Sequence, residues 1–151
     1  MRRLPLWLLI ICLLLSGCSL LEPIVTPPRD EQPTSQTGTL SIHYIDVGQA
    51  DCAFVECGGE FMIIDGGNVE DGRMVVSYLL DQGIESLDYM VCSHAHEDHV
   101  GGLPSVLAVY PTERVLSPTR TYSSKVFDKF LYYADQQRLT VEIPFSLAAR
   151  W

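Results

Sequence analysis

The eleven residues CSHAHEDHVGG, Cys92 to Gly102, constrain this chain more than any others. Three histidines (His94, His96, His99) and two carboxylates (Glu97, Asp98) fall within six residues, directly after the apolar stretch SLDYMVC. In an extended segment alternate side chains share a side, so His94 and His96 project together and Asp98 continues the series. His99 follows where the chain should turn into a helix. Imidazole and carboxylate together suit zinc or another first-row divalent ion. One ion cannot readily take all four groups from so short a loop. A natural division gives His94 and His96 to one ion, and Asp98 and His99 to a second nearby; two ions a few ångströms apart can clamp a scissile group. Glu97 should point away from that side.

The residues on either side predict the scaffold. TLSIHYIDVG alternates, with Leu40, Ile42 and Tyr44 on one face, and reads as a half-buried strand. DCAFVEC and EFMIID flank Gly58 and Gly59, a two-residue hairpin turn. VEDGRMVVSYLLDQG carries Val75, Val76, Leu79 and Leu80 at helical spacing, with Gly83 suited to end the helix. SLDYMVCSH reads as a strand. HVGGLPSVLAVY begins a second helix with Pro104 in its first turn. ERVLSP is a short strand. SSKVFDKFLYYADQQR is a helix with Val126, Phe127, Phe130, Leu131 and Ala134 inward, and LTVEIP is a last strand. The succession predicts an α/β layered domain, a sheet covered by helices. His43, in mid-strand, reads as structural.

The N-terminus reads as an address. Arg2 and Arg3 precede an apolar run from Leu4 to Leu15, too short to span a bilayer but suited to a signal peptide. The run ends in LSGC, Leu15 to Cys18, which resembles the lipobox of bacterial lipoproteins. Residues 1–17 are thus expected to be a lipoprotein signal peptide and Cys18 the lipidated residue. Residues 18–38, rich in Pro, Ser and Thr, are expected to tether a domain over 39–151 to the outer side of the bacterial membrane. The formal charge is −9, and loss of Arg2 and Arg3 makes the remainder more negative. So acidic a body is a poor non-specific polyanion binder, although bound divalent cations would offset part of the charge locally. Arg114, Arg120, Lys125, Lys129 and Arg138 form a locally basic stretch that reads first as a solvated helix face. Cys52, Cys57 and Cys92 form no CxxC pair and read as small buried hydrophobes.

HAHEDH resembles the HxHxDH signature of the metallo-β-lactamase superfamily. Together with HYIDVGQAD (His43 to Asp51) and MIIDGG (Met62 to Gly67) it is similar to a narrower branch, the soluble hydrolase-like domain of ComEC-type competence proteins. The resemblance implies an αββα sandwich, of which this chain would form the N-terminal half. It implies two divalent ions, zinc or alternatively manganese, with His94 and His96 as ligands of the first and Asp98 and His99 of the second. Asp98 is then the catalytic carboxylate. It implies that Asp65 supports the metal loop by hydrogen bonds. Asp46, Gln49 and Asp51 match the branch's DVGQ-D element, with turn formation and substrate contact both open. The implied chemistry is hydrolysis by metal-bound hydroxide, with a phosphodiester or other small-molecule substrate preferred, nucleic acid open and no protein partner expected.

The family pattern also expects a later histidine, a bridging aspartate and a last histidine. No histidine follows His99, and Asp128 and Asp135 fall on a helix predicted to face them into solvent. The expectation is therefore an incomplete form that binds metal weakly and is inactive alone. The competing reading is a non-catalytic surface lipoprotein, a pseudoenzyme or binding module built on the half-fold.

Overall fold

The structure, a computed structural model, describes residues 38–144. The predicted signal peptide, Cys18 and all but the end of the predicted tether lie outside the described residues. Among those described, no helix is long and apolar enough to cross a membrane.

Five strands form one sheet in chain order: β1 (Leu40–Tyr44), β2 (Ala53–Cys57), β3 (Glu60–Ile64), β4 (Leu87–Val91) and β5 (Thr112–Leu116). β1, β2 and β3 pair antiparallel; β3, β4 and β5 pair parallel. Gly58 and Gly59 both have positive φ, 61° and 89°, which the tight β2–β3 turn requires of both its residues. Parallel strands need crossovers, and helices supply them. A 3-10 turn (Val69–Asp71) leads into α1 (Gly72–Asp81) between β3 and β4. Two short helices, α2 (Glu97–Val100) and α3 (Leu103–Leu107), lie between β4 and β5, and α4 (Lys125–Gln136) follows β5.

Register decides which side chains meet the helices. His43, Phe54, Ile63, Met90 and Val115 form one row across the sheet. The last four are fully buried against Val75 and Leu79 of α1, Val100, Leu103 and Val106 around α2 and α3, and Phe127 and Phe130 of α4. Each such burial contributes about 1.5–3 kcal/mol. The α/β layering expected from the sequence is present: one sheet with its helices, a β layer and an α layer of the four-layer sandwich. The second pair of layers is not among the described residues.

Several local expectations need correction. In β1 the alternation is as predicted but the side is reversed: Leu40, Ile42 and Tyr44 are 59%, 49% and 85% exposed, on the face away from the helices. His43 takes the inward position, bonded through Nδ1 to the Tyr78 hydroxyl at 2.5 Å and edge-on to Phe54. The single helix predicted from HVGGLPSVLAVY is two, because the close-packed Gly101 and Gly102 interrupt it. LTVEIP contributes one isolated bridge, Leu116 to Glu142, in place of a strand. Cys52 and Cys92 are buried free thiols as expected, whereas Cys57, ending β2 at the hairpin, is exposed. On α1, Leu80 is exposed while Val76 is partly buried. On α4, Asp128 and Asp135 face solvent as expected.

Candidate metal centre

The histidine loop sits at the carboxyl ends of the parallel strands β3 and β4, where an α/β sheet leaves a crevice. Its foundation is Asp65, directly after β3. Asp65 is 3% exposed and has φ 57°, in the left-handed region that aspartate tolerates better than most residues. That conformation turns the chain while the Asp65 N–H still bonds to Val91 O at 2.8 Å. Its carboxylate then accepts from the Ser93 N–H (2.7 Å), the Ser93 hydroxyl (2.5 Å) and Nδ1 of His99 (2.9 Å). Three donors offset the cost of burying this charge.

The same contacts fix the chemistry of His99. An ionised carboxylate only accepts, so the Nδ1 that faces Asp65 carries a proton, and Nε2 faces outward. Nε2 stands 3.6 Å from Asp98 Oδ2 and 3.6 Å from Asp51 Oδ2. Each of His94, His96 and Asp98 offers a donor atom, all within 4.8 Å of one another. The rings of His94 and His99 lie 3.7 Å apart, and those of His94 and His96 4.8 Å. The structure thus brings together all four predicted ligands, with Asp98 within reach of both groups. Glu97 is exposed and outside the cluster, as expected.

Backbone contacts hold the loops in place. Gly66 N–H bonds to His99 O (2.7 Å), Gly67 N–H to Asp51 O (2.9 Å), and Asp51 N–H to Asp98 O (3.1 Å). The glycine pairs of MIIDGG and HVGG interlock: a Cβ on Gly102 would lie 2.0 Å from Gly66 O. The three motifs that stood apart in the sequence are therefore one interlocked unit.

The DVGQ-D loop resolves in part. Asp46 accepts the Gly48 N–H at 3.2 Å, a turn-forming role. Gln49 is exposed on the loop. Asp51 faces His99. The two buried thiols lie nearby but stay protonated. Burial, reinforced by the negative charge of Asp65, pushes both Cys52 and Cys92 from 9.0 up to about 12. Cys92 donates instead to His94 O at 3.0 Å.

Two contributors escaped sequence reasoning. Ser93 bridges Asp65 to the histidines, its hydroxyl lying 3.3 Å from Nδ1 of both His94 and His99. Its place immediately before the motif is the only sequence signal for it. Tyr122, on the β5–α4 connection and 42% exposed, places its ring 5.8 Å from His96. Nothing in its local sequence marks it. Two members of the basic stretch have structural partners: Arg114 is paired with Glu142 at 2.6 Å and lies over the Tyr89 ring, and Arg120 bonds to Val141 O.

Residues 45–149 match the model of the metallo-beta-lactamase superfamily, and the chain belongs to that superfamily. Within it, the chain is similar to Recombination protein 2 of Haemophilus influenzae, 32% identical over 94 residues, 59% of this chain and 11% of the relative. It is also similar to ComE operon protein 3 of Bacillus subtilis, 24% identical over 119 residues, 67% of this chain and 15% of the relative. Both fit the competence-type branch expected from the three motifs. Hydroxyacylglutathione hydrolase of Stenotrophomonas maltophilia is 37% identical over 60 residues, 40% of this chain and 22% of the relative. The chain therefore spans between about a tenth and a quarter of the length of these relatives.

The superfamily binds divalent metal, and the residues present suit it. Three imidazoles and a carboxylate, one imidazole oriented by a buried carboxylate, are donors of the kind a first-row divalent ion takes.

Proposed function

We propose that this chain carries the metal-binding part of a metal-dependent hydrolase acting on phosphodiesters. The observation behind it is the convergence of His94, His96, Asp98 and His99 at one end of the sheet, with His99 held by Asp65. Zinc is the favoured ion and manganese the alternative, with two ions per site. A divalent ion bound there supplies Lewis-acid activation of water and charge neutralisation at a phosphoryl oxygen. Asp98, its side chain 49% exposed, reaches both halves of the cluster and is the carboxylate best placed to orient a water molecule. Ser93 and Asp65 hold the imidazoles, so little reorganisation is needed when a substrate arrives. Tyr122 offers an aromatic wall beside His96. The preference for phosphodiesters rests on likeness to the competence-type relatives. We further propose that Cys18 is lipidated and anchors the domain outside the membrane, a reading supported by the leader sequence.

Hydrolysis of bis-p-nitrophenyl phosphate by a complete form of the domain, with and without chelator, tests the chemistry. Chelator-sensitive turnover reduced at least 100-fold in His94→Ala and Asp98→Asn is the expected result. Turnover surviving both replacements overturns the assignment. No turnover in that complete form, with metal bound, favours the non-catalytic alternative. Labelling with radioactive palmitate, lost in Cys18→Ala, tests the anchor.

A further inference from the structure

We propose that the furrow between α1 and α4, on the solvent side of the helix layer, binds a small amphipathic anion: a phosphate or carboxylate head on an apolar body. The furrow follows from the helix lengths. Between the two longer helices lies α3, which has only five residues and packs against both. It brings small side chains to the floor, Ser105 and, at its end, Ala108. The space left above it is about 660 Å³, within the range of about 300–1,000 Å³ usual for small-molecule pockets. None of the histidine cluster lines it, so this site is separate from the metal centre.

Charge names the class of ligand. Arg73, Val76 and Ser77 share one stripe of α1; Val126, Lys129 and Tyr133 share one stripe of α4. One cation therefore stands on each wall, beside apolar and hydroxyl side chains. No acidic residue lines the furrow, in a chain where 19 acids face 10 bases. Among the described residues neither Arg73 nor Lys129 has an ion-pair partner, whereas Arg114 has Glu142. The sequence explains this for Lys129: its neighbours three and four residues away on α4 are Lys125, Val126, Tyr132 and Tyr133, none of them acidic. Two cations over apolar walls draw an anion more strongly than the same cations on an open surface. The net charge of −9 repels a long polyanion, so a small anion fits better than nucleic acid.

Calorimetric titration of the full chain with 1-naphthyl phosphate tests this, with chelator present so that no ion at the histidine cluster can hold or hydrolyse the probe. 1-Naphthoate, neutral 1-naphthalenemethanol and inorganic phosphate are titrated in parallel. Saturable binding of either naphthyl anion is expected, weaker at high salt, with the neutral compound and inorganic phosphate each binding about tenfold more weakly or not at all. Arg73→Gln and Lys129→Gln should each weaken it about tenfold. Both side chains are exposed, so neither change threatens folding. Ala108→Trp, which fills the furrow, should abolish binding, and Tyr44→Ser, on the open face of the sheet, should leave it unchanged. Binding that survives both Arg73→Gln and Lys129→Gln, or that Tyr44→Ser removes, places the probe elsewhere and overturns the proposal. Equal binding of the neutral compound or of inorganic phosphate overturns the ligand class, and no saturable binding overturns the site. Dimerisation of the wild type that Ala108→Trp abolishes, seen by sedimentation, would put a second copy in the furrow and also overturn it.

Discussion

At the scale of single residues, Asp65 carries more of this site than any metal-facing group. It is buried, sits in a backbone region unusual for a residue with a side chain, and satisfies three donors at once. Asp65→Asn preserves size and tolerance of positive φ but sets an amide against donors that need acceptors. The expected loss of stability is about 1–3 kcal/mol. Zinc affinity should fall about 10–100-fold, because the orientation and basicity of His99 depend on that carboxylate. Chemical denaturation and zinc titration measure the two effects separately. The identities of His94, His96, Asp98, His99 and Asp65 were all legible in the sequence, because ligand chemistry is a property of side-chain type and local spacing. Ser93, Tyr122 and the orientation of Asp51 were not. Their roles depend on distances to residues far along the chain, and no local pattern encodes those distances.

At the scale of elements, the strands and helices were legible wherever one side is buried and the other wet. Phe127, Phe130 and Ala134 of α4 and Val75 and Leu79 of α1 follow the helical period and are buried. β1 shows where that logic stops. Period two identifies a strand, but not which of its two faces the helices cover. The apolar triplet Leu40, Ile42 and Tyr44 took the open face, since register against Phe54 sets His43 inward. The joint between elements is the other feature that periodicity could not show. Gly66, Gly101 and Gly102 let the β3–α1 and β4–α3 segments approach until their backbones touch. Gly102→Ala should cost about 3 kcal/mol, since the added Cβ would lie 2.0 Å from Gly66 O and the backbone must move. Gly83→Ala is the comparison: its φ is +73° but nothing lies within 4 Å, so only the left-handed penalty of about 1–2 kcal/mol applies. Thermal melts of the two variants should rank in that order.

At the scale of the whole molecule, one sheet has one face filled and the other lined by Ile42, Val55, Met62 and Tyr89 in register. The interior also shapes the response to pH. Cys52 and Cys92 are raised from 9.0 to about 12 in the folded chain, so at high pH the unfolded state loses its thiol protons first. Their contribution to stability is fully present below pH 9.0 and is lost as the pH rises through about 12. Melting temperature should fall from pH 8 to pH 11, less steeply in Cys52→Ser and Cys92→Ser than in the wild type. At neutral pH the exposed Cys57 should react with a thiol reagent far faster than either buried thiol.

By itself the sequence determined the α/β class, the superfamily signature and the identity of the expected metal-facing groups. These depend on side-chain chemistry and on periods of a few residues. Tertiary structure alone decided which face of β1 is covered, how three glycine-bearing loops lock together, and that Asp51 comes within 3.6 Å of His99. Each of those is set by pairing register and close backbone approach between segments far apart in the chain, and local spacing carries no record of either.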